Sequence, residues 1–262
     1  SVEIIRGAQS VARERGLSLI LTRTGDRHAP DPDWIDGVLL RRPYGVVLVL
    51  SGLSPELQRQ LRTRGIPFVL VDPSGEPSAD VPTVGAANYE GGLIATRHLL
   101  ELGHTRIGVV GGPDDVMSAR ARIAGFRTAM EAAGLPIFDE LIRPGDYSTQ
   151  SGVSGAQTLL SLPQPPTAIF ALNDLEAFGV YAAARRAGVS IPEQLSVVGF
   201  DDVQGAEWAG PPLTTVRQPL TEMAEEAVRI VIRIRDHEPD LTLRLDLATS
   251  LVVRDSTRRL AG

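Results

Sequence analysis

Short apolar runs alternate with amphipathic stretches along most of the chain, and this alternation restricts the fold more than any other feature. Residues 45–50 and 168–171 are typical of buried strands, whereas residues 174–187 carry apolar side chains at helical spacing. Strands that alternate with helices form parallel sheets joined by right-handed crossovers. One sheet of ten or more strands would be unusual, so we expect two lobes, each with its own sheet.

The same pattern sets the expected positions of the strands and the last helix. It predicts strands at 18–22, 45–50, 67–71, 81–84, 106–110, 141–143, 168–171, 196–200, 243–247 and 249–253. The last long helix is expected where apolar residues recur from Leu220 to Ile232.

Composition excludes several classes of protein. There is no cysteine, so disulfides and thiolate catalysis are excluded, and the four histidines are too scattered to indicate a zinc site. The net charge is −6 and no basic run exceeds two residues, so this chain alone lacks the charge pattern of a DNA-binding protein. No apolar run approaches the roughly 20 residues that span a membrane. We expect no metal, no cofactor and no membrane partner.

No catalytic motif is present. Gly-x-Ser-x-Gly, the P-loop and Gly-x-Gly-x-x-Gly are all missing. Asp201 and Asp202 follow a predicted strand, but adjacent residues usually point in different directions and no partner base is evident. We therefore expect no enzymatic activity. Planar polar groups and an aromatic ring suit a sugar, which offers paired hydroxyl groups and an apolar C–H face.

Four segments carry a recognisable pattern: a stiff, proline-rich one at 211–219, and three others at 102–107, 199–202 and 251–257. In this order along the chain, they resemble motifs of the LacI/GalR family of sugar-responsive transcription repressors. The resemblance implies an α/β fold of two doubly wound parallel-sheet lobes joined by three crossovers, as in type I periplasmic binding proteins. We expect residues 1–103 plus 218–246 in one lobe and 104–217 plus 247–262 in the other. A helix-turn-helix headpiece and a first strand would precede this chain.

The resemblance also implies effector-contacting residues. Arg122, Asn173 and Asp201 match ligand-binding positions of the family, Tyr147 matches an aromatic position, and Gln218 matches a pocket residue at a crossover. The residues alone also fit other roles. Arg122 fits a solvated helix arginine and Asn173 a helix N-cap. Tyr147 fits a loop tyrosine and Gln218 a polar hinge residue. At the start of the helix, Asp174 is the candidate cap, and Asp202 is expected only to hold its turn.

Residues 85–92 depart from the common family pattern. The segment resembles an actinobacterial subgroup that is linked to plant-polysaccharide sugars such as xylose or cello-oligosaccharides. There, Asn88 and Tyr89 are candidate sugar contacts, although Tyr89 alternatively staples the start of a helix. Trp208 is either an aromatic residue at the rim of the site or a dimer contact.

These observations predict the effector-binding and dimerisation core of a cytoplasmic repressor. The resemblance implies that a mono- or oligosaccharide binds between the lobes and alters affinity for operator DNA, which the headpiece contacts. A two-fold homodimer is expected, with helix 174–187 and Trp208 at its interface. The alternative is a monomeric sugar-binding protein of a transport system.

Overall fold

The computed structural model describes residues 2–25 and 33–260. The chain divides into two compact units, the first formed by Ser1–Ala86 with Pro219–Leu247 and the second by Ala87–Gln218 with Ala248–Gly262. In the described ranges, no helix is long and apolar enough to cross a bilayer.

The first unit contains a four-stranded parallel sheet in the order β1-β2-β3-β9. Its strands are β1 (Val46–Val49), β2 (Phe68–Val71), β3 (Thr83–Ala86) and β9 (Arg244–Leu247). Its helices are α1 (Val2–Glu14), α2 (Asp33–Arg41), α3 (Pro55–Thr63) and α8 (Leu220–Arg235).

Both faces of this sheet are buried. On one face, Val69 packs against Met223 and Val231 of α8, and on the other, Leu70 packs in a cluster with Leu61 of α3. Strands that are covered on both sides need apolar residues at consecutive positions, which explains the continuous apolar sequence of β2.

The predicted strand at 18–22 is absent. These residues adopt no regular structure, and Ile20 and Leu21 are 65% and 66% exposed. The segment does not join the four-stranded sheet, and a strand forms only where a neighbouring strand accepts its backbone hydrogen bonds. Each of the other nine predicted strands overlaps an observed one.

The second unit contains a six-stranded sheet in the order β10-β8-β7-β6-β4-β5. Only β10 is antiparallel to its neighbour. The strands are β4 (Ile107–Val110), β5 (Ile142–Arg143), β6 (Ala168–Ala171), β7 (Ser196–Asp201), β8 (Thr214–Arg217) and β10 (Ser250–Val252). The helices are α4 (Asn88–Glu101), α5 (Met117–Ala132), α6 (Thr149–Leu160) and α7 (Asp174–Ala187).

Two helix pairs cover the opposite faces of this sheet. Alternate residues of one strand divide between them, since Phe170 packs in the cluster that contains Phe126 of α5, and Ile169 packs in the cluster that contains Val180 of α7. The stiff proline-rich segment contributes β8, which lies between β7 and β10 in the sheet.

Helix α4 belongs to the second unit, whereas the sequence prediction assigned it to the first lobe. The reason is its close packing on α5. A Cβ atom on Gly92 would lie 2.1 Å from the backbone oxygen of Arg122, and one on Gly125 would lie 2.1 Å from that of Tyr89. The chain therefore leaves the first unit after Ala86, before α4 rather than after it. Gln218 likewise belongs to the second unit, and Leu247 to the first.

Candidate functional site

All eight predicted site residues lie in the second unit. Six of them form a connected polar cluster, referred to below as the Arg122 cluster: Asn88, Arg122, Tyr147, Asn173, Asp201 and Gln218. Asn173, Asp201 and Gln218 stand at or directly after the carboxyl ends of parallel strands. Ligands of open α/β sheets bind at this edge.

Arg122 is the centre of the cluster and is only 3% exposed. Its Nε donates to Asn88 Oδ1 at 2.8 Å, and its Nη1 donates to the Leu172 carbonyl oxygen at 2.5 Å. The guanidinium lies 3.6 Å from the ring centroid of Phe200, and Nη1 is 3.6 Å from Asp201 Oδ1. Within the described part of the chain, Nη2 makes no hydrogen bond. Arg122 is therefore a fixed buried cation with donors to spare, which excludes the solvated-arginine alternative.

Asp201 ends β7 with a φ of 111°, a backbone conformation that side-chain-bearing residues rarely adopt. Its Oδ1 accepts a hydrogen bond from Gln218 Nε2 at 2.5 Å. Burial raises the pKa of Asp201, while Arg122 and Gln218 act in the opposite direction. The other amide atom of Gln218, Oε1, is buried without a hydrogen-bond partner among the described residues. A buried acceptor without a partner is costly and rare, so this atom marks a position where a ligand hydroxyl group would be stabilised.

Asp202 holds the turn, as predicted. It also has a positive φ, and its two carboxylate oxygens accept hydrogen bonds from Arg217 and Arg254, both at 2.7 Å. These two ion pairs fix the backbone that presents Asp201.

Tyr147 supplies an aromatic ring to the cluster from a strained backbone. Its φ is 67°, which costs about 1–3 kcal/mol for a residue with a side chain. The backbone N–H donates to Glu176 at 3.0 Å, the carbonyl accepts from Asn173 at 3.0 Å, and the hydroxyl lies 3.3 Å from Ser118 Oγ. A Cβ on Gly112 would lie 2.5 Å from the ring, so glycine there allows the ring to cover the backbone.

The start of α7 differs from the sequence prediction. The N-cap is Asn173, not Asp174, because Asn173 Oδ1 accepts from the Glu176 N–H at 2.8 Å. Since Nδ2 of Asn173 donates to Tyr147, both ends of its amide are engaged within the protein. Asp174 is fully buried and accepts from Thr215 Oγ1 at 2.6 Å; burial, with a smaller effect of Asp201, raises the pKa of Asp174 to about 8.

Comparisons with known proteins identify relatives over almost the whole chain. Residues 96–257 match the family described as periplasmic binding protein-like domain. The HTH-type transcriptional repressor PurR of Vibrio parahaemolyticus is 33% identical over 260 residues, which cover 98% of this chain and 77% of that protein. The HTH-type transcriptional repressor CytR of Escherichia coli K12 is 31% identical, with 98% and 75% covered.

Solved structures of regulators share the fold over nearly the whole chain. A transcriptional regulator CelR–cellobiose complex superposes with a TM-score of 0.88 at 33% identity and covers 97% of this chain and 78% of that chain. A LacI family transcriptional regulator from Enterococcus faecium with bound ribose has a TM-score of 0.89 at 28% identity, with 99% and 94% covered. This chain belongs to the LacI family of transcriptional regulators. Its fold is that of the family's effector-binding domains, and the relatives do not support the transport-protein alternative.

For two predicted site residues of this LacI-family chain, no hydrogen bond, ion pair or cation–π contact joins the side chain to the Arg122 cluster among the described residues. Tyr89 follows Asn88 at the start of α4 and is 40% exposed. Trp208 is 77% exposed and borders an apolar groove on the outside of α7. The groove is lined by Phe178, Tyr181, Arg185, Val189, Ile191, Gly205, Trp208, Ala209, Gly210 and Pro211.

The sequence interpretation missed two residues. Phe200 stacks against the Arg122 guanidinium, and Glu176 accepts a hydrogen bond from the Tyr147 N–H. Phe200 looked like an ordinary strand residue. Glu176 lies three residues after Asn173, the spacing of a capping box, which would assign its side chain to the end of its own helix. The carboxylate instead reaches Tyr147 N and Ser151 Oγ, so that only the tertiary structure reveals its role.

Proposed function

We propose that the Arg122 cluster binds a mono- or oligosaccharide effector. The observation that carries the proposal is the connected set Arg122, Asp201 and Gln218, in which the buried Gln218 Oε1 lacks a partner within the described residues. A sugar hydroxyl donates to such an acceptor and at the same time accepts from a guanidinium. The ring of Tyr147, 5.7 Å from the guanidinium, offers an apolar surface for a sugar C–H face.

The first sugars to test are cello-oligosaccharides and xylose. The segment with Asn88 and Tyr89 resembles the plant-sugar subgroup, and the CelR relative at 33% identity was solved with cellobiose. The ribose complex of the Enterococcus faecium regulator makes ribose the second choice.

In this proposal, effector binding changes the affinity of the whole regulator for operator DNA. A helix-turn-helix headpiece makes the DNA contacts, in the cytoplasm, and the chain catalyses no reaction. An effector shifts the equilibrium between two states only by its differential affinity for them, typically about 1–3 kcal/mol.

A thermal-shift screen against cellobiose, cellotriose, xylose and ribose tests the effector class. A ligand at 100 times its Kd adds about 2.7 kcal/mol to the free energy of unfolding, which is easily measured as a rise in Tm. Nucleosides serve as a chemically different panel. Stabilisation by nucleosides and by none of the sugars would contradict the proposal.

A paired variant identifies the site. Asp201→Asn removes the carboxylate that Gln218 and Arg122 contact, and we expect it to abolish the sugar-induced shift. Asp255→Asn changes an exposed carboxylate of the same unit and should keep the full shift.

We also propose that the chain forms a homodimer through the groove beside α7. Trp208, which borders this groove, is 77% exposed, and Leu175 in the first turn of α7 is 46% exposed. Exposed apolar surface of this kind marks interaction sites. Light scattering should give twice the chain mass of 28.0 kDa. Trp208→Arg should yield monomers, whereas Phe138→Glu, at another exposed aromatic residue, should not. A wild-type monomer at micromolar concentration would sink this proposal.

A further inference from the structure

Glu176 is a fully buried acid that lies beside the Arg122 cluster but makes no hydrogen bond to Arg122, Asp201 or Gln218. Its Oε1 accepts from the Tyr147 N–H at 3.0 Å and from Ser151 Oγ at 3.0 Å. Its Oε2 has no hydrogen-bond partner among the described residues. One oxygen thus accepts from two donors, whereas the other is buried without a partner in the described chain, which costs stability.

Glu176 contacts a segment with a strained backbone, the one that contains Tyr147. Tyr147 has a left-handed φ of 67°, so its conformation persists only if its surroundings hold it. A Cβ on Gly145 would lie 2.3 Å from Glu176 Oε1, and only glycine lets this segment approach the carboxyl group so closely. Asn173 donates to the Tyr147 carbonyl, and Glu176 accepts from the Tyr147 N–H. Two residues at the start of α7 thus bind both backbone polar groups of Tyr147.

We propose that Glu176 is a positioning residue of the effector site, which fixes the Tyr147 ring against Arg122 by holding the Tyr147 backbone. The role in binding rests on the sugar-effector function proposed above; the role in fixing Tyr147 does not. A sugar that stacks on a pre-positioned ring avoids the cost of ordering that ring, so affinity depends on Glu176 without contact.

The protonation state of Glu176 changes the charge beside Tyr147. Burial raises the pKa of Glu176 to about 8, so that the carboxyl group is neutral near pH 7. The groups that face it are Arg122 on α5, Asp146 and Tyr147 on the segment before α6, and Ser151 on α6. The hydrogen bonds from Ser151 and from the Tyr147 N–H lower the pKa, Asp146 raises it, and Arg122 lowers it. Above this pKa the carboxylate keeps both donors but adds a buried charge beside the segment, so the environment of the Tyr147 ring changes as Glu176 ionises.

Tyrosine-labelled NMR tests the positioning without any sugar. The chain has four tyrosines, and Tyr147→Phe assigns the Tyr147 ring signal. Burial raises the pKa of the Tyr147 hydroxyl itself, so this hydroxyl stays protonated throughout a titration from about pH 6 to about pH 9. We expect the wild-type ring signal to shift with a midpoint near 8. Glu176→Gln, which keeps an oxygen acceptor and cannot ionise, should remove that transition, and Glu131→Gln, at an exposed acid on α5, should keep it.

A Tyr147 ring signal that is the same in wild type and Glu176→Leu overturns the proposal, as does a wild-type transition that persists unchanged in Glu176→Gln. Neither outcome depends on the effector, so both are distinct from a failure of the sugar screen. With cellobiose, or the sugar that the screen selects, Glu176→Gln should keep the wild-type Kd at pH 7, whereas Glu176→Leu should raise it about tenfold or more. If Glu176→Leu does not fold, the titration of Glu176→Gln still decides. A freed Tyr147 ring with unchanged sugar affinity would show that Glu176 has only a structural role.

Discussion

The two helix pairs that cover the six-stranded sheet are built in the same way. In α4–α5, Gly92 and Gly125 bring the backbones into contact, and in α6–α7, Gly152 and Gly179 do so. At each of these four positions a Cβ would lie 2.1 or 2.2 Å from a backbone oxygen of the partner helix. Glycine is therefore required at both crossings for steric reasons.

The pairs differ in the buried ionisable residue that stands three positions before the second glycine. This residue is Arg122 in α5 and Glu176 in α7. An arginine cannot lose its charge, so Arg122 must be surrounded by acceptors and an aromatic ring. A glutamate can become neutral, and Glu176 does so with one oxygen unused. Equivalent backbones thus provide a fixed cation on one side of the sheet and a neutral acid on the other.

The largest expected effect comes from the crossings themselves. Gly92→Ala and Gly152→Ala should each lower the free energy of unfolding by about 3 kcal/mol or more, since a Cβ has no room against backbone. Gly155→Ala is the control within α6, because the atoms nearest to its Cβ would belong to the side chains of Val110, at 3.1 Å, and Arg143, at 3.5 Å, rather than to backbone. Urea denaturation measures all three. Equal losses for Gly152→Ala and Gly155→Ala would show that the crossing is not the constraint.

The second prediction compares the two ionisable residues directly. Arg122→Met leaves the partly buried Asp201 and the buried Asn88 without their cation and should cost about 3 kcal/mol of unfolding free energy. Glu176→Met removes a neutral group and should cost about 1 kcal/mol near pH 6. Equal losses of unfolding free energy in the two variants would contradict the view that Arg122 is charged and Glu176 is neutral.

The third prediction concerns pH. The pKa of Glu176 is raised from 4.5 to about 8, so its contribution to stability is fully present below pH 4.5 and is lost as pH rises towards 8. The ideal slope is about 1.4 kcal/mol per pH unit. Relative to wild type, Glu176→Gln should gain up to about 3.5 kcal/mol between pH 5 and pH 8. Asp174, with its pKa also raised to about 8, should leave a residual slope in the variant. If the free energies of unfolding of the two proteins kept a constant difference across this pH range, the assignment of a neutral Glu176 would be wrong.

The smallest effect is expected at the cap of α7. Asn173→Ala should cost about 1 kcal/mol, because the Glu176 N–H loses its acceptor. Asn173→Ser keeps a capping oxygen and should recover most of this loss, although it still lacks the donor to Tyr147. If serine were no better than alanine, the cap would not be the source of the effect, and thermal denaturation distinguishes the two cases.

The sequence was sufficient for features that depend on local pattern. Apolar periodicity placed nine strands, and Gly188 marks the end of α7 with a φ of 69°. It was not sufficient where tertiary contacts decide. Within the described residues, the apolar run at 18–22 lacks a partner strand, and α4 joins the unit in which Gly125 lies. Glu176 contacts a segment that is remote in sequence, and no local pattern indicates this contact.

For the candidate site, the family motifs placed Arg122, Asn173, Asp201, Tyr147 and Gln218, which the folded chain brings into one cluster. No motif indicates whether an amide atom is already engaged. Asn173 uses both ends of its amide within the protein, whereas Gln218 leaves one oxygen without a partner in the described chain. This distinction requires distances between residues that are remote in sequence.

Calorimetric titration of the selected sugar into wild type, Arg122→Lys and Arg120→Lys tests the central claim most directly. Lysine keeps the positive charge but loses the planar fork, so Arg122→Lys should raise the Kd by about tenfold to a hundredfold. Arg120 is exposed on the same helix, and its replacement should leave the Kd unchanged. An unchanged Kd in a folded Arg122→Lys variant would show that the sugar binds elsewhere.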